Sequence, residues 1–393
     1  MTHPIPRLPI LDWGTFSGAN ASATPCVLTH PTAQFTVSGR AAILLALEML
    51  QVGPGDKVLV PTYHCPTMVA PIVVLGAQVV FYPIDGNGGP DLQWIRQHHS
   101  TDIRAILVAH FFGLPQPLAD IRHWCDQHGM RLIEDCAHAL FGSSGERAVG
   151  RWGDLAIASL TKFLPVPEGG CLLDNLVPAP MPPLHQPSLK SQVKAGFDII
   201  HAAINHGRLA GLGPLINGAN QLRRLFKPKH LDQPASQAQP IDSPTDGFTV
   251  DETQAHLELT AASRWIAQHV PRARIVERRR ENYLLFTQAL SGVAGMHPLL
   301  TYLPDHCAPY VFPLWVDQPD PGYAELRRLE FPVSRWDQLW PTVTTLEPDF
   351  GLKWSHHVLQ LACHQDLTAT ELQRMVATLK QVYAPPRAQP QAA

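Results

Sequence analysis

Residues 105–140 read AILVAHFFGLPQPLADIRHWCDQHGMRLIEDCAHAL, and their pattern decides the fold. AILVAHFF (105–112) and RLIEDCA (131–137) are apolar almost throughout, as strands buried on both faces are. Between them LADIRHWCDQHG (118–129) spaces its apolar side chains at helical intervals and stops on glycine. Strand, helix and strand in that order predict a parallel pair with a helical crossover. The same rhythm runs upstream. SGRAAILLALEMLQVGPGD (38–56) is a helix opened by small residues and stopped by Gly-Pro-Gly-Asp, KVLVP (57–61) a strand, PTMVAPIVVLGA (66–77) a helix, QVVFYPID (78–85) a strand and DLQWIRQHH (91–99) a helix. Downstream, LAIASL (155–160) and GCLLD (170–174) continue as strands joined by TKFLPVPEGG. The expected fold is α/β, a large domain with a mainly parallel sheet covered by helices.

Beyond that sheet the pattern loosens. Residues 176–245 read as a Pro-rich helical insertion, with FDIIHAAINHGRLAGL (197–212) as its helical middle and the basic LRRLFKPKH (222–230) after it. Residues 251–290 predict one long helix or two joined near Pro271, with Arg272, Arg274, Arg278, Arg279 and Arg280 as a solvated basic face. A smaller α+β unit follows: strand 308–317, helix 322–330, strand 356–362 and helix 368–383. The expected division is a large domain over 1–245, a small C-terminal domain over 246–383 and a disordered tail over 384–393.

Composition narrows the function classes. In 393 residues, 30 Lys+Arg against 33 Asp+Glu leave a net charge of −3, so neither a nucleic-acid-binding surplus nor an acidic disordered chain fits. Seven scattered cysteines with no C-x-x-C pair predict buried thiols in a reducing compartment. No run of about 18 apolar residues occurs, and prolines interrupt the first residues where a signal peptide needs an apolar stretch. A cytoplasmic protein without a membrane span is expected. The histidine pairs His98-His99 and His356-His357 have no carboxylate or cysteine at a spacing that closes a metal site, so no metal is expected.

Ligands of an open parallel sheet bind beyond the carboxyl ends of its strands, so the residues just after each strand are the ones that matter. Ser38-Gly39-Arg40 would present free N–H groups at a helix N-terminus, where phosphate is favoured. Asp135 ends an apolar strand, where a carboxylate is costly unless it meets a cation or a strong donor such as a protonated ring nitrogen. Lys162 follows LAIAS in a loop pinned by Pro165, Pro167 and Gly169-Gly170; a poorly solvated lysine there can act as an amine nucleophile toward a carbonyl cofactor. Taken singly each has a plainer alternative: Ser38 as a helix cap, Asp135 as a surface carboxylate, Lys162 as a solvated charge. Together they form a phosphate cradle, a ring-nitrogen carboxylate and a Schiff-base lysine, in the chain order of a pyridoxal phosphate enzyme.

In these features the sequence resembles the DegT-type nucleotide-sugar aminotransferases, of the pyridoxal-phosphate-dependent transferase fold type I. The likeness is carried by SGRAA (38–42), the run 102–145 with EDCAHA at its centre, GRWGDLAIASLTKFLPVPEGGCLLD (150–174), and the distal CAPYVFPLWVD (307–317) and SRWDQLWP (334–341). The resemblance implies that Lys162 holds the cofactor and then moves the substrate proton, and that Asp135 keeps the pyridine nitrogen protonated. It puts His138, where many members have Gln, near the cofactor's phenolic oxygen; the other reading is a structural histidine. It gives Ser159 to the phosphate, with Gly39 and Arg40 as backbone donors and Ser38 at the cradle. One of Tyr63, His64 or Cys65 should lie over the ring.

Three features depart from the family pattern. Only Leu160-Thr161 separates Ser159 from Lys162, a shorter loop than usual; His64-Cys65-Pro66 replaces the common Thr and aromatic residues; and the insertion lacks the family's Gly-x-Asn loop. The resemblance implies transfer of an amino group from an amino acid, glutamate by family likeness, to a keto group of a nucleotide-linked sugar, for a polysaccharide or glycoconjugate, by a homodimer with a shared active site. The alternatives are a non-sugar ketone as acceptor, or a catalytically silent cofactor-binding regulator or scaffold.

Overall fold

The computed structural model describes residues 3–18, 23–176, 181–209, 211–212 and 246–383. The basic run 222–230, most of the Pro-rich stretch and the tail 384–393 lie outside the described residues.

The chain enters through a short edge strand, β1 (Gln34–Thr36), in a stretch whose sequence shows no strand pattern. Helix α1 (Gly39–Met49) follows, its start fixed by Ser38, whose hydroxyl accepts from the Ala41 N–H. Seven successive residues of α1, Ala41 to Leu47, are buried, because the helix is covered on one side by the sheet and on others by neighbouring helices. Then come β2 (Lys57–Pro61), α2 (Pro66–Val74) with proline in its first turn, β3 (Gln78–Tyr82), α3 (Leu92–Gln97), β4 (Ile103–Ala109) and α4 (Ala119–His128). Gly129 ends α4 in the left-handed region, φ 65°, a conformation glycine adopts without steric cost. β5 (Arg131–Cys136), the small hairpin β6 (Ser143–Ser144) and β7 (Arg147–Ala148), β8 (Leu155–Ser159) and β9 (Gly170–Asp174) complete this half.

The large sheet has the order β1-β9-β8-β5-β4-β2-β3. The five strands from β3 to β8 are parallel; β9 and β1 close one edge antiparallel. The expectation of a mainly parallel, doubly covered sheet therefore holds, with the antiparallel edge arising because the β8–β9 connection is a ten-residue loop too short for a helical crossover.

The second half opens with α5 (Leu189–Asn205), α6 (Glu252–Ala255) and α7 (Ala261–His269). The sequence reading puts 252–269 with the C-terminal unit; here α6 packs on α1, and α7 on α5. Helix α8 (Arg272–Leu290) starts directly after Pro271, as two helices joined near that proline require. It leads to β10 (Met296–Pro298), β11 (Val311–Val316), α9 (Gly322–Arg328), β12 (Val333–Ser334), α10 (Gly351–His357), β13 (Val358–Ala362) and α11 (Ala369–Val382), the last opened by a capping box between Thr368 and Glu371. His356 and His357 end α10, so the expected strand 356–362 begins two residues late. The small sheet is antiparallel, ordered β10-β11-β13-β12. No helix among the described residues is long and apolar enough to cross a membrane.

Candidate active site

Adjacent parallel strands bring the predicted residues together. Asp135 lies in β5 opposite Ile157 of β8, and Ser159 closes β8 three residues before Lys162. Successive side chains of a strand leave on opposite faces, so Glu134 and Asp135 serve different purposes. Glu134 accepts from His110 Nε2 at 2.8 Å and from the N–H groups of Gly150, Trp152 and Gly153 at 2.7, 2.8 and 3.1 Å. Burial works to raise its pKa, but the His110 bond and these backbone donors hold it below the ordinary value. His110 Nδ1 in turn accepts from the Gln116 N–H, so His110 and Glu134, with Cys136 beside them, are hydrogen-bonded within this buried cluster.

Asp135 faces the other way. Its Oδ1 accepts the Ala137 N–H at 2.8 Å, and only 4% of the residue is exposed. Burial raises its pKa, against the lowering influence of the Lys162 charge, the Ala137 donor and His110. Lys162 is its counterpart: burial lowers the amine's pKa, while Asp135 and Cys65 work to raise it. The Lys162 Nζ lies 5.4 Å from the centre of the Tyr310 ring. His138 completes the group, its ring 4.5 Å from that of Tyr310 and 4.9 Å from that of Trp336. Burial and the nearby Lys162 charge hold His138 neutral, its pKa well below the ordinary value, and the Phe112 N–H points at its Nδ1, 3.4 Å away.

The start of α1 lies at the same end of the sheet. Ser38 bridges Gly169, and a Cβ on Gly39 would stand 3.4 Å from the Ser159 Cβ. Ala41 N–H is taken by the Ser38 hydroxyl and Ala42 N–H by the Ser38 carbonyl, which leaves the Gly39 and Arg40 N–H groups outside the helix's own bonding. The Arg40 guanidinium turns away to the Thr249 carbonyl. Ser38 is thus a helix cap at the end of the sheet where Ser159 lies. The Ser159 hydroxyl stands 3.4 Å from that of Thr161.

Tyr63, His64 and Cys65 separate. Tyr63 is fully buried among Phe111, Phe112, Trp336 and Trp354, its hydroxyl accepting from Gln360 Nε2 at 3.0 Å. His64 is fully buried, stacked on Phe81, with its Nε2 accepting the Trp340 N–H at 2.9 Å. Cys65 alone of the three is partly exposed and acts electrostatically on Lys162. The other six cysteines are buried, as composition predicts.

Three residues of this neighbourhood escape sequence reasoning. Tyr310 and Trp336 lie in the distal stretches 307–317 and 334–341 that carry the resemblance, but the sequence reading assigns neither of them a role. Arg279 is a correction: it belongs to the basic face read as solvated, yet it is fully buried. A cavity of about 930 Å³ lined by Asp317, Asp320, Glu325, Arg328 and Tyr383 lies elsewhere and contains none of the predicted site residues.

Comparison with known proteins agrees with this geometry. Residues 27–176, the part that builds the large sheet, match the DegT/DnrJ/EryC1/StrS aminotransferase family. Over that segment the chain is similar to this family. The segment is 33% identical over 144 residues to GDP-perosamine synthase of Vibrio cholerae, covering 36% of this chain and 39% of that protein. It is 34% identical over 123 residues to UDP-N-acetyl-3-dehydro-alpha-D-glucosamine 3-aminotransferase of Acidithiobacillus ferrooxidans, covering 31% and 33%. The chain thus spans between a third and two fifths of these relatives' length. The fold likeness extends further: AtS13 from Actinomadura melliaura superposes with a TM-score of 0.61 at 19% identity, over 97% of this chain and 99% of that one. The fold is the type I transferase fold of DegT-family aminotransferases.

Proposed function

We propose that this chain is a pyridoxal-phosphate-dependent aminotransferase that takes an amino group from an amino acid, glutamate first among candidates, and delivers it to the keto group of a nucleotide-activated sugar in polysaccharide or glycoconjugate synthesis. The carrying observation is the buried, mutually charged pair Asp135 and Lys162 at the carboxyl ends of neighbouring parallel strands, beside the small-residue start of α1. The donor set suits the cofactor. Lys162 offers an amine to its carbonyl, Asp135 has acceptor capacity beyond its bond to Ala137 for a ring N–H, and the start of α1 at Gly39 and Arg40 with Ser159 suits its phosphate. When bound, pyridoxal phosphate supplies an electron sink for the pair left when a substrate carbon loses its proton.

The protein's own groups then have distinct tasks. Asp135, as a buried anion, keeps a ring nitrogen in its protonated form. Lys162 would hold the cofactor through its Nζ and, as a free amine, would be the base that takes the substrate α proton and returns it. Its lowered pKa leaves a larger fraction as free amine at neutral pH than an ordinary lysine has. His138, held neutral, offers a hydrogen-bonding ring beside Lys162 without adding charge. Tyr310 and Trp336 wall the pocket with aromatic faces and exclude water.

Nucleotide-sugar acceptors are supported by the names of the two relatives of the sheet-building segment, which act on GDP- and UDP-linked sugars. A homodimer, a cytoplasmic location and a division near residue 245 into a cofactor-binding and a C-terminal unit complete the reading and rest on the family resemblance. The test is the visible absorbance of the purified protein with pyridoxal phosphate, before and after glutamate, beside Lys162→Ala. A band present in the native protein, discharged by glutamate and altered in the variant is expected. A band that glutamate cannot discharge refutes the donor; absence of any bound cofactor refutes the enzyme reading.

A further inference from the structure

Arg279 is the most unusual charge among the described residues. It sits in the middle of α8, is fully buried, and has no carboxylate within bonding distance. Its recorded partners are neutral: Nε donates to Gln365 Oε1 at 2.8 Å, Nη1 to the Pro309 and Tyr310 carbonyls at 2.9 and 3.1 Å, and Nη2 to the Lys162 carbonyl at 2.7 Å. The guanidinium carbon lies over the Phe163 ring, 4.4 Å from its centre. Gln365 completes the grip, its Nε2 donating to the Phe163 carbonyl at 2.8 Å.

Burying a cation among neutral acceptors is expensive, so the arrangement must satisfy several backbone groups at once. The groups it satisfies are those that carry the site. One side of the guanidinium holds the backbone of Lys162 and, through Gln365, that of Phe163. The other holds the backbone of Pro309 and Tyr310, whose ring frames both the Lys162 amine and His138. In the loop from Leu160 to Gly169, the Phe163 and Leu164 N–H groups bond the Leu160 carbonyl and the Val166 N–H the Leu164 carbonyl, while Leu160 N–H to the Gly169 carbonyl and Gly169 N–H to the Val37 carbonyl close its base. None of these bonds reaches the carbonyls of Lys162 and Phe163, which are held by Arg279 and Gln365.

We propose that Arg279 is a positioning residue that locks the Lys162 loop to the Tyr310 segment and so presents the Lys162 amine to the cofactor's carbonyl. The proposal rests on the reading of Lys162 as the cofactor lysine. Lysine cannot replace arginine here, because a single ammonium cannot bridge acceptors on two sides of a planar fork.

Affinities for pyridoxal phosphate and pyridoxamine phosphate test it. Both carry the same ring and phosphate, but only the first bonds to Lys162. Arg279→Lys should weaken pyridoxal phosphate at least tenfold and leave pyridoxamine phosphate within threefold. Arg274→Lys is the control: Arg274 is in the same helix and pairs with Asp366 at 2.8 Å, so its loss should lower the melting temperature but change both affinities by less than threefold. Equal weakening of both ligands in Arg279→Lys, or of neither, overturns the proposal. If that variant does not fold, Gln365→Met decides, with a threefold or larger loss confined to pyridoxal phosphate expected and an unselective loss or none contradicting it. A native protein that binds pyridoxal phosphate no more tightly than pyridoxamine phosphate refutes the cofactor-lysine reading itself, a result distinct from failure of the clamp.

Discussion

At the residue scale the site is a contest between burial and charge. Burial raises the pKa of Asp135 and lowers that of Lys162; each is pulled back toward its charged form by the other. Removing one partner must therefore move the other in a stated direction. Asp135→Asn deletes an influence that raises the Lys162 pKa, so the midpoint of the pH profile for acylating Lys162 in cofactor-free protein should fall. The native midpoint itself should already lie below the ordinary 10.5. Peptide mapping of the acylated lysine at each pH reads both, and an unchanged or raised midpoint in the variant contradicts the coupling.

Between strands and helices, the site is held by groups that face away from it. Glu134 ties β4, through His110, to the turn at Gly150–Gly153 behind β5. Its folded pKa is depressed, so its contribution is present above the unfolded value and is lost as pH falls through the folded one. Glu134→Gln should cost about 2–4 kcal/mol at pH 7, with the gap to the native protein closing only as the pH falls well below the ordinary glutamate value of 4.5. A gap that persists in acid would mean packing rather than charge. Gly170 has a different constraint: a Cβ there would stand 2.2 Å from the Ser38 carbonyl oxygen and 2.6 Å from the Gly39 nitrogen, both backbone atoms. Gly170→Ala should push the start of α1 off β9, lowering the melting temperature and weakening pyridoxal phosphate at least tenfold by titration. Native-like affinity would show that the α1 terminus does not hold the phosphate.

The elements also show what a sequence can and cannot disclose. The β5 strand, the crossover helix α4 and the positions of Asp135 and Lys162 were legible because burial on both faces leaves long apolar runs that end abruptly at polar residues. Strand β1 was not, since three residues at an edge carry too little pattern. Arg279 was misread for a related reason: five arginines in nine residues look like a wet face, and only the packed structure shows which one turns inward. Tyr63 and His64 follow a strand end as ligand residues do, yet tertiary packing gives them to the aromatic core instead.

On the scale of the whole molecule, the C-terminal half closes over the sheet. Trp336 packs on Tyr63 and His138, Trp340 N–H is bound by His64, and Asp349 Oδ1 accepts from Thr62 Oγ1 at 2.9 Å, Ile84 N at 3.0 Å and Gly351 N at 2.9 Å. Asp349 is thus a buried rivet between the halves. Asp349→Ala strands three donors and should destabilise the protein by about 2–4 kcal/mol, read by denaturant unfolding. A loss below about 0.5 kcal/mol would show that the segment 336–349 is held by its tryptophans alone.

Lys162 is the group on which the charge pair and the Arg279 clamp both act. Treating the protein loaded with pyridoxal phosphate with borohydride fixes the cofactor to the amine that holds it, and peptide mass mapping then names the residue. The account predicts the label on Lys162 and its absence from Lys162→Ala. A label on any other lysine, or an unlabelled native protein, would contradict it.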